Sequence, residues 1–187
     1  RALDIDLALG GHRAEDFTAA DLIVLSPGVP HTLAPLQAAR GREVPVIGEV
    51  ELAARFIREP IVAVSGTNGK TTVTELLGRM LEASGRRVFV GGNIGRPLIG
   101  YVDGGQTADV VVAEISSFQL DTIVTFRPAV GVLLNITDDH LDRYPDFAAY
   151  ARSKMRLFEN QTAQDTAVLN GTDPVIQAQA AAIRSRR

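Results

Sequence analysis

Apolar residues gather in short runs along the chain, at residues 22–25, 44–47, 61–64, 88–90, 110–113, 130–136 and 167–169. Most of these runs are continuous instead of alternating, which is the pattern of strands covered on both faces in a parallel sheet. Helical periodicity fills the segments between them. The clearest case, 71–84, repeats Val73, Leu76, Leu77, Met80 and Leu81 at the spacing of a core-facing stripe and meets a stop at Gly85. A second helix is expected to open at Pro145-Asp146, with Phe147, Tyr150, Ala151, Lys154 and Phe158 on one face, and the alanine-rich stretch 178–183 reads as another. Strand alternating with helix predicts an α/β fold of parallel sheets flanked by helices.

The pattern divides between Ile47 and Pro60. Residues 1–48 read as part of a Rossmann-like N-terminal domain, two strand-helix units that include the turn Ser26-Pro27-Gly28-Val29-Pro30. Residues 49–187 read as a central domain of the phosphate-loop ATPase type, starting a new sheet. The chain has no initiator methionine and opens inside what reads as an α/β unit, so a fragment is expected. Arg184, Arg186 and Arg187 read as a frayed end.

Composition narrows the partners. A net charge of −3 with no long block of one sign suggests neither nucleic acid nor a membrane surface. No apolar run approaches the roughly 20 residues of a membrane span, and no signal-peptide pattern opens the chain, so a cytoplasmic location is expected. The sequence has no cysteine, which excludes disulfides and thiolate metal sites. Of the 19 basic residues only Lys70 and Lys154 are lysine. A compact ammonium suits a phosphate cradle, and lysine alone offers an amine that burial can neutralise.

Lys70 lies in Ser65-Gly66-Thr67-Asn68-Gly69-Lys70-Thr71-Thr72, between an apolar strand and an amphipathic helix. That order aims backbone N–H groups and a helix N-terminus at an anion, with lysine for the phosphates and threonine for Mg²⁺, and so predicts a nucleoside triphosphate. The match is G-x-x-G-K-T, shorter than the common G-x-x-x-x-G-K-[ST] because Val64 stands where the first glycine would be. Ligands of open parallel sheets bind at the carboxyl ends of the strands. Two more segments reach that edge: Glu114 to Gln119 and Asn135 to His140. Glu114 can hold Mg²⁺ opposite the Thr71 hydroxyl, or serve only as a solvated turn residue. His140 can complete a second metal site, orient a phosphate or stay on the surface. Asp138 and Asp139 can equally cap a helix. Lys154 falls on an apolar stripe and should point inward; a neutral amine there can take up CO₂ as a carbamate and become an oxygen ligand, or its stem can pack while the head reaches water. Gly91-Gly92-Asn93-Ile94-Gly95 is a glycine-rich turn in which Asn93 offers donor and acceptor together.

Taken together, 66–72, 91–95, 114–120 and 135–144 resemble the Mur ligase family, over essentially the whole chain. The phosphate loop and the Asp-His segment are shared with folylpolyglutamate synthases. The segments 92–95 and 116–120, with Ser26-Pro27-Gly28, resemble the branch that adds D-glutamate to UDP-N-acetylmuramoyl-L-alanine. The resemblance implies ATP-dependent amide formation through an acyl phosphate in peptidoglycan precursor synthesis. It implies that Gly66, Thr67, Asn68, Gly69, Lys70, Thr71 and Thr72 bind ATP. Thr71 and Glu114 would hold one Mg²⁺, and Glu114, His140 and a carbamylated Lys154 a second. Asn93, Ser116 and Gln119 would contact the muramoyl substrate, and Ser26 with Gly28 its uridine diphosphate end. It further implies a monomer with only small-molecule partners, and a chain that is inactive by itself because an amino-acid-binding domain is missing. A sibling ligase, a folylpolyglutamate synthase and a nucleotide-binding module without catalysis stay open as alternatives.

Overall fold

A computed structural model describes residues 5–26, 28–30, 32–138 and 143–187. Its elements, in order, are α1 (Ala14–Thr18), β1 (Ile23–Leu25), α2 (Ala34–Gly41), β2 (Val46–Gly48), α3 (Glu49–Ala54), β3 (Ile61–Ser65), α4 (Lys70–Ala83), β4 (Val88–Gly92), α5 (Leu98–Asp103), β5 (Val110–Glu114), α6 (Ser117–Leu120), β6 (Val130–Leu133), α7 (Phe147–Met155), β7 (Thr166–Leu169) and α8 (Pro174–Gln179). Every apolar run predicted as a strand is one. The strands form two all-parallel sheets, β1-β2 and β4-β5-β3-β6-β7.

The middle of the larger sheet, β3 and β5, is covered on both faces, which is why those strands lack alternation, whereas Val168 of β7 at the sheet edge is exposed. Ile61, Ala63, Val111, Ala113, Leu133 and Ala167 share a core with residues of α3, α5 and α7. On the opposite face Val64 and Val112 are fully buried, and Val90, in register with Val112, meets α4. β3 is central. The chain leaves it first toward β4 and β5 and then crosses to β6 and β7, so the ends of β5 and β6 flank the end of β3 and a crevice opens there. Register sets Val64 beside Glu114 and Ser65 beside Leu133, bringing the three strand ends level.

Three sequence expectations need correction. Leu76 and Met80 of α4 are 55% and 60% exposed, whereas Thr74 and Gly78 are buried. The helix lies so close to β4 that a Cβ on Gly78 would sit 2.5 Å from Val90 Cγ2, and only small residues permit that approach. The arginine-rich end is not frayed. Ala167 N–H donates to Arg186 O at 2.7 Å, Arg186 N–H to Asp165 O at 3.1 Å, and the Ser185 hydroxyl to Gln161 Oε1 at 2.7 Å. The helix expected over 178–183 starts earlier, at Pro174, capped by the Asp173 carboxylate, and closes as a 3₁₀ turn over Ala180–Ala182.

Candidate active site

The phosphate loop leaves β3 at Ser65 and enters α4 at Lys70. Gly66 (φ 155°) and Gly69 (φ 80°) hold backbone angles that side chains resist, and a Cβ on Gly66 would press to 3.1 Å from Leu134 Cβ. Gly69 is the residue before α4, and no side chain caps the helix. The first-turn N–H groups, which carry Thr71 and Thr72, therefore have an anion as their natural partner. Lys70 Nζ curls back to donate to Thr67 O at 2.8 Å, over the loop it serves. The loop is braced from outside. Thr67 N–H donates to Asn135 O at 3.0 Å; Asn68 N–H donates to Asn135 Oδ1 at 2.8 Å, and Asn135 Nδ2 donates back to Asn68 O at 3.0 Å. The buried Thr67 hydroxyl bonds the Tyr150 hydroxyl at 3.1 Å and accepts from Thr137 N–H at 3.1 Å.

Glu114 closes β5 beside the loop and is only 2% exposed. The Thr71 hydroxyl donates to its Oε2 at 2.8 Å, Asn93 Nδ2 to its Oε1 at 2.9 Å, and Asn93 N–H to its backbone O at 2.9 Å. Two of the predicted residues, Thr71 and Glu114, thus stand together as an oxygen pair at a helix N-terminus. That donor set fits Mg²⁺, a hard cation that takes one or two carboxylate or hydroxyl oxygens and keeps water. Asn93 holds the carboxylate in place. Lys154 points inward: it is 2% exposed, its Nζ donates to Gly66 O at 2.8 Å and lies 4.7 Å from the Tyr150 ring centre. The head does not reach water, so the packed-stem alternative falls. Asp139 and His140 lie outside the described residues. Among the described residues no group of three or more His, Asp or Glu gathers to hold a metal. Asp138 is exposed and caps no helix; α7 is capped by Asp146, whose Oδ1 accepts from Ala149 N–H at 2.6 Å.

Ser116 and Gln119 form a capping box on α6. Gln119 N–H donates to Ser116 Oγ at 3.3 Å, while Ser116 N–H and Oγ–H donate to Gln119 Oε1 at 2.9 and 3.0 Å. Ser26 and Gln119 line opposite walls of a cleft of about 250 Å³ between the loop after β1 and α6. Gly28 is exposed, and nothing lies within 4 Å of a Cβ built on it, so crowding does not require glycine there.

The sequence profile of the Mur ligase middle domain matches residues 64–186. The chain belongs to the Mur ligase family. It is 63% identical over 187 residues to the UDP-N-acetylmuramoylalanine–D-glutamate ligase of Desulfosudis oleivorans, covering 100% of this chain and 41% of that protein. It is 54% identical over 184 residues to the ligase of the same name from Geotalea uraniireducens, covering 98% of this chain and again 41% of that one. The chain thus spans about two fifths of the length of the curated relatives it matches. Among solved structures, a pseudomurein peptide ligase type C from Methanothermus fervidus superposes with a TM-score of 0.53 at 27% identity, over 90% of this chain and 35% of that one. The MurF ligase from Thermotoga maritima in complex with ADP gives 0.59 at 18% identity, over 91% and 50%, a likeness of fold alone.

Several residues that organise this Mur ligase site carry little signal in sequence. Asn135 and Tyr150 brace the phosphate loop, yet alone they read as a turn residue and a core aromatic. Asp173 spans two elements, its Oδ2 accepting from Ile136 N–H at 2.8 Å while its Oδ1 caps α8. The capping box was legible as S-x-x-Q after a strand. No helix among the described residues is long and apolar enough to cross a membrane.

Proposed function

We propose that this chain is part of an ATP-dependent ligase that joins D-glutamate to UDP-N-acetylmuramoyl-L-alanine in peptidoglycan precursor synthesis. The observation that carries the reading is the Thr71–Glu114–Asn93 constellation at the mouth of a braced phosphate loop, in a chain whose whole length aligns with ligases bearing that name. Residues 1–48 belong to the domain that holds the nucleotide substrate and 49–187 to most of the ATP-binding domain. The whole enzyme is a cytoplasmic monomer, and this chain alone is inactive.

In the first half-reaction a carboxylate oxygen of the L-alanyl group attacks the γ-phosphorus of ATP, the bond to the β–γ bridging oxygen breaks, and ADP leaves. In the second, the D-glutamate amine attacks the acyl phosphate, inorganic phosphate leaves, and the amide remains. Phosphoryl transfer asks the protein for position and charge. The loop N–H groups and the α4 terminus orient the β- and γ-phosphates, and Lys70 swings from Thr67 O to offset their charge. Thr71 and Glu114 would hold Mg²⁺, which when bound would supply positive charge against the phosphates. His140 and Lys154, the latter as a carbamate formed with CO₂, would hold a second Mg²⁺ together with Glu114. Asn93, Ser116 and Gln119 face the muramoyl group, Ser26 and Gly28 the uridine diphosphate.

The test is phosphate release by the full-length protein with ATP, Mg²⁺ and UDP-N-acetylmuramoyl-L-alanine, comparing D-glutamate, L-glutamate, meso-diaminopimelate and no amino acid. Release with D-glutamate alone supports the assignment. Release with another amino acid makes the protein a sibling ligase, and no release with any leaves a nucleotide-binding module.

A further inference from the structure

We propose that Arg143 grips the diphosphate of the nucleotide substrate, its guanidinium presented to the cleft between the loop after β1 and α6. The inference rests on the substrate named above and adds a residue to its recognition. Arg143 lines that cleft together with Ser26, Thr32 and Gln119, and among the described lining residues it is the cation. Its guanidinium carbon stands 4.4 Å from the centre of the Phe118 ring, a cation–π distance that holds the group over the ring. Phe118 is itself fixed: it stacks on Tyr144 with ring centres 5.9 Å apart and planes 10° from parallel. The Tyr144 hydroxyl donates to Asp121 Oδ2 at 2.7 Å and lies 3.2 Å from Ser153 Oγ, which donates to Ser117 O at 3.0 Å. Burial pushes the Tyr144 phenol up, so it stays protonated and keeps this anchor across ordinary pH.

The two acids of the lining are already engaged. Asp121 accepts from Tyr144, and Glu49 Oε1 accepts from Ile99 N–H at 2.6 Å. An arginine held over a ring matches paired anionic oxygens better than a lysine does, because two parallel N–H bonds form at once with little rotamer freedom lost. The substrate offers two such groups, the diphosphate and the alanyl carboxylate. The carboxylate must lie against the γ-phosphate, beside Lys70, Thr71 and Glu114. No residue of the loop 66–72 lines the cleft of Arg143, whereas Ser26, Thr32 and Gly48 do. The anion it meets is therefore the one remote from the chemistry.

Calorimetric titration of the full-length protein tests this with UDP, UDP-N-acetylmuramoyl-L-alanine and N-acetylmuramoyl-L-alanine without the diphosphate. Arg143→Ala should weaken the first two by about 10- to 100-fold, the worth of charge-assisted hydrogen bonds, and leave the third unchanged. Arg143→Lys should recover little of the loss, and Phe118→Leu should cost roughly 3-fold through the lost stacking alone. Equal ATP affinity in wild type and variants confirms that each is folded; should Arg143→Ala fail that control, Arg143→Gln takes its place with the same expectations. Wild-type UDP affinity in Arg143→Ala overturns the proposal, as does an equal loss for the diphosphate-free ligand, which would assign the carboxylate. A wild-type protein that releases phosphate with D-glutamate while Arg143→Ala binds UDP normally sinks this inference alone; one that neither binds UDP ligands nor turns over sinks the functional reading with it.

Discussion

Glu51 offers the sharpest test of how the fold is held at the junction between the two sheets. It sits on α3, one turn after β2 ends, and is fully buried. Its Oε2 accepts the N–H groups of Val124, Thr125 and Phe126, each at 2.9 Å, and its Oε1 accepts the Thr125 hydroxyl at 2.6 Å and Arg55 Nε at 3.2 Å. One carboxylate thus satisfies three consecutive backbone donors in the turn between α6 and β6. Burial alone would push this carboxyl up, but the hydrogen bonds from Thr125 and the three N–H groups outweigh it and hold it below the usual glutamate range. Glu51→Ala strands those donors. Each unsatisfied buried group costs about 1–3 kcal/mol, and water entering the vacated space recovers part, so a net loss of about 3–5 kcal/mol is expected, in keeping with breaking a buried charged pair. Glu51→Gln keeps the shape but sets an amide N–H₂ against Arg55 Nε, and should cost about 1.5–3 kcal/mol. Hydrogen exchange read by mass spectrometry on the full-length protein localises the effect. At about 1.4 kcal/mol per tenfold, Glu51→Ala should cut protection of the Val124, Thr125 and Phe126 amides by roughly 100-fold or more. Because the folded carboxyl titrates below its unfolded value of about 4.3, its contribution is complete above that pH and lost as pH falls through the lower folded value; Glu51→Gln should lack that acid-side loss. Protection within threefold of wild type in Glu51→Ala would refute the reasoning.

Three further outcomes are expected. Lys154→Arg in the full-length protein should abolish Mg²⁺-dependent turnover and Lys154→Ala should be rescued by small carboxylates, whereas unchanged turnover in both removes the role given to Lys154. Gly78→Ala should lower the melting temperature, since overpacking against Val90 costs about 1–3 kcal/mol and exceeds the roughly 1 kcal/mol that alanine adds to helix propensity; a raised melting temperature would refute the tight α4–β4 contact. Asp109 takes a side-chain bond and an N–H from Arg87 and is held down to about 2; a pH titration followed by NMR should find it there, with the contribution of the pair present above the unfolded value near 3.9 and lost as pH falls toward 2. Arg87→Ala should return it to the ordinary aspartate range.

What the sequence makes legible is what a local rule controls. Continuous apolar runs mark strands, so the seven strands among the described residues and their parallel sense could be read even where Val24 of β1 and Val168 of β7 are exposed, and the phosphate loop declares itself through glycines that only its backbone angles require. The buried face of α4 was misread because the apolar stripe is not what packs: a close helix-to-strand approach selects Thr74 and Gly78 by size, and hydrophobic spacing is blind to size. The arginine-rich end was misread because charge composition says nothing about backbone pairing, and Arg186 is held by its main chain beside β7. Glu51, Asn135 and Tyr150 act across separations of dozens of residues, where no pattern along the chain can register them.

The brace around the phosphate loop follows from its length. A loop of the G-x-x-G-K-T form has fewer residues than the common pattern with which to wrap phosphates, and so fewer internal hydrogen bonds with which to hold itself. Here the missing support comes from the segment after β6. The Asn135 side chain pairs with the Asn68 backbone as a neighbouring strand would, one bond donated and one accepted, and Asn135 O takes the Thr67 N–H. Thr67 turns its hydroxyl away from the phosphate side to Thr137 and Tyr150, so its side chain serves the brace. Tyr150 lies on the same helix as Lys154, whose ammonium holds Gly66 O. α7 therefore grips both ends of the short loop's first half, and a change in the state of Lys154 from cation to carbamate would leave Nζ one N–H in place of three, so that Gly66 O could keep its donor only if that single N–H stayed aimed at it. The loop's geometry and the chemistry at Lys154 are on that account coupled through the 2.8 Å hydrogen bond to Gly66 O.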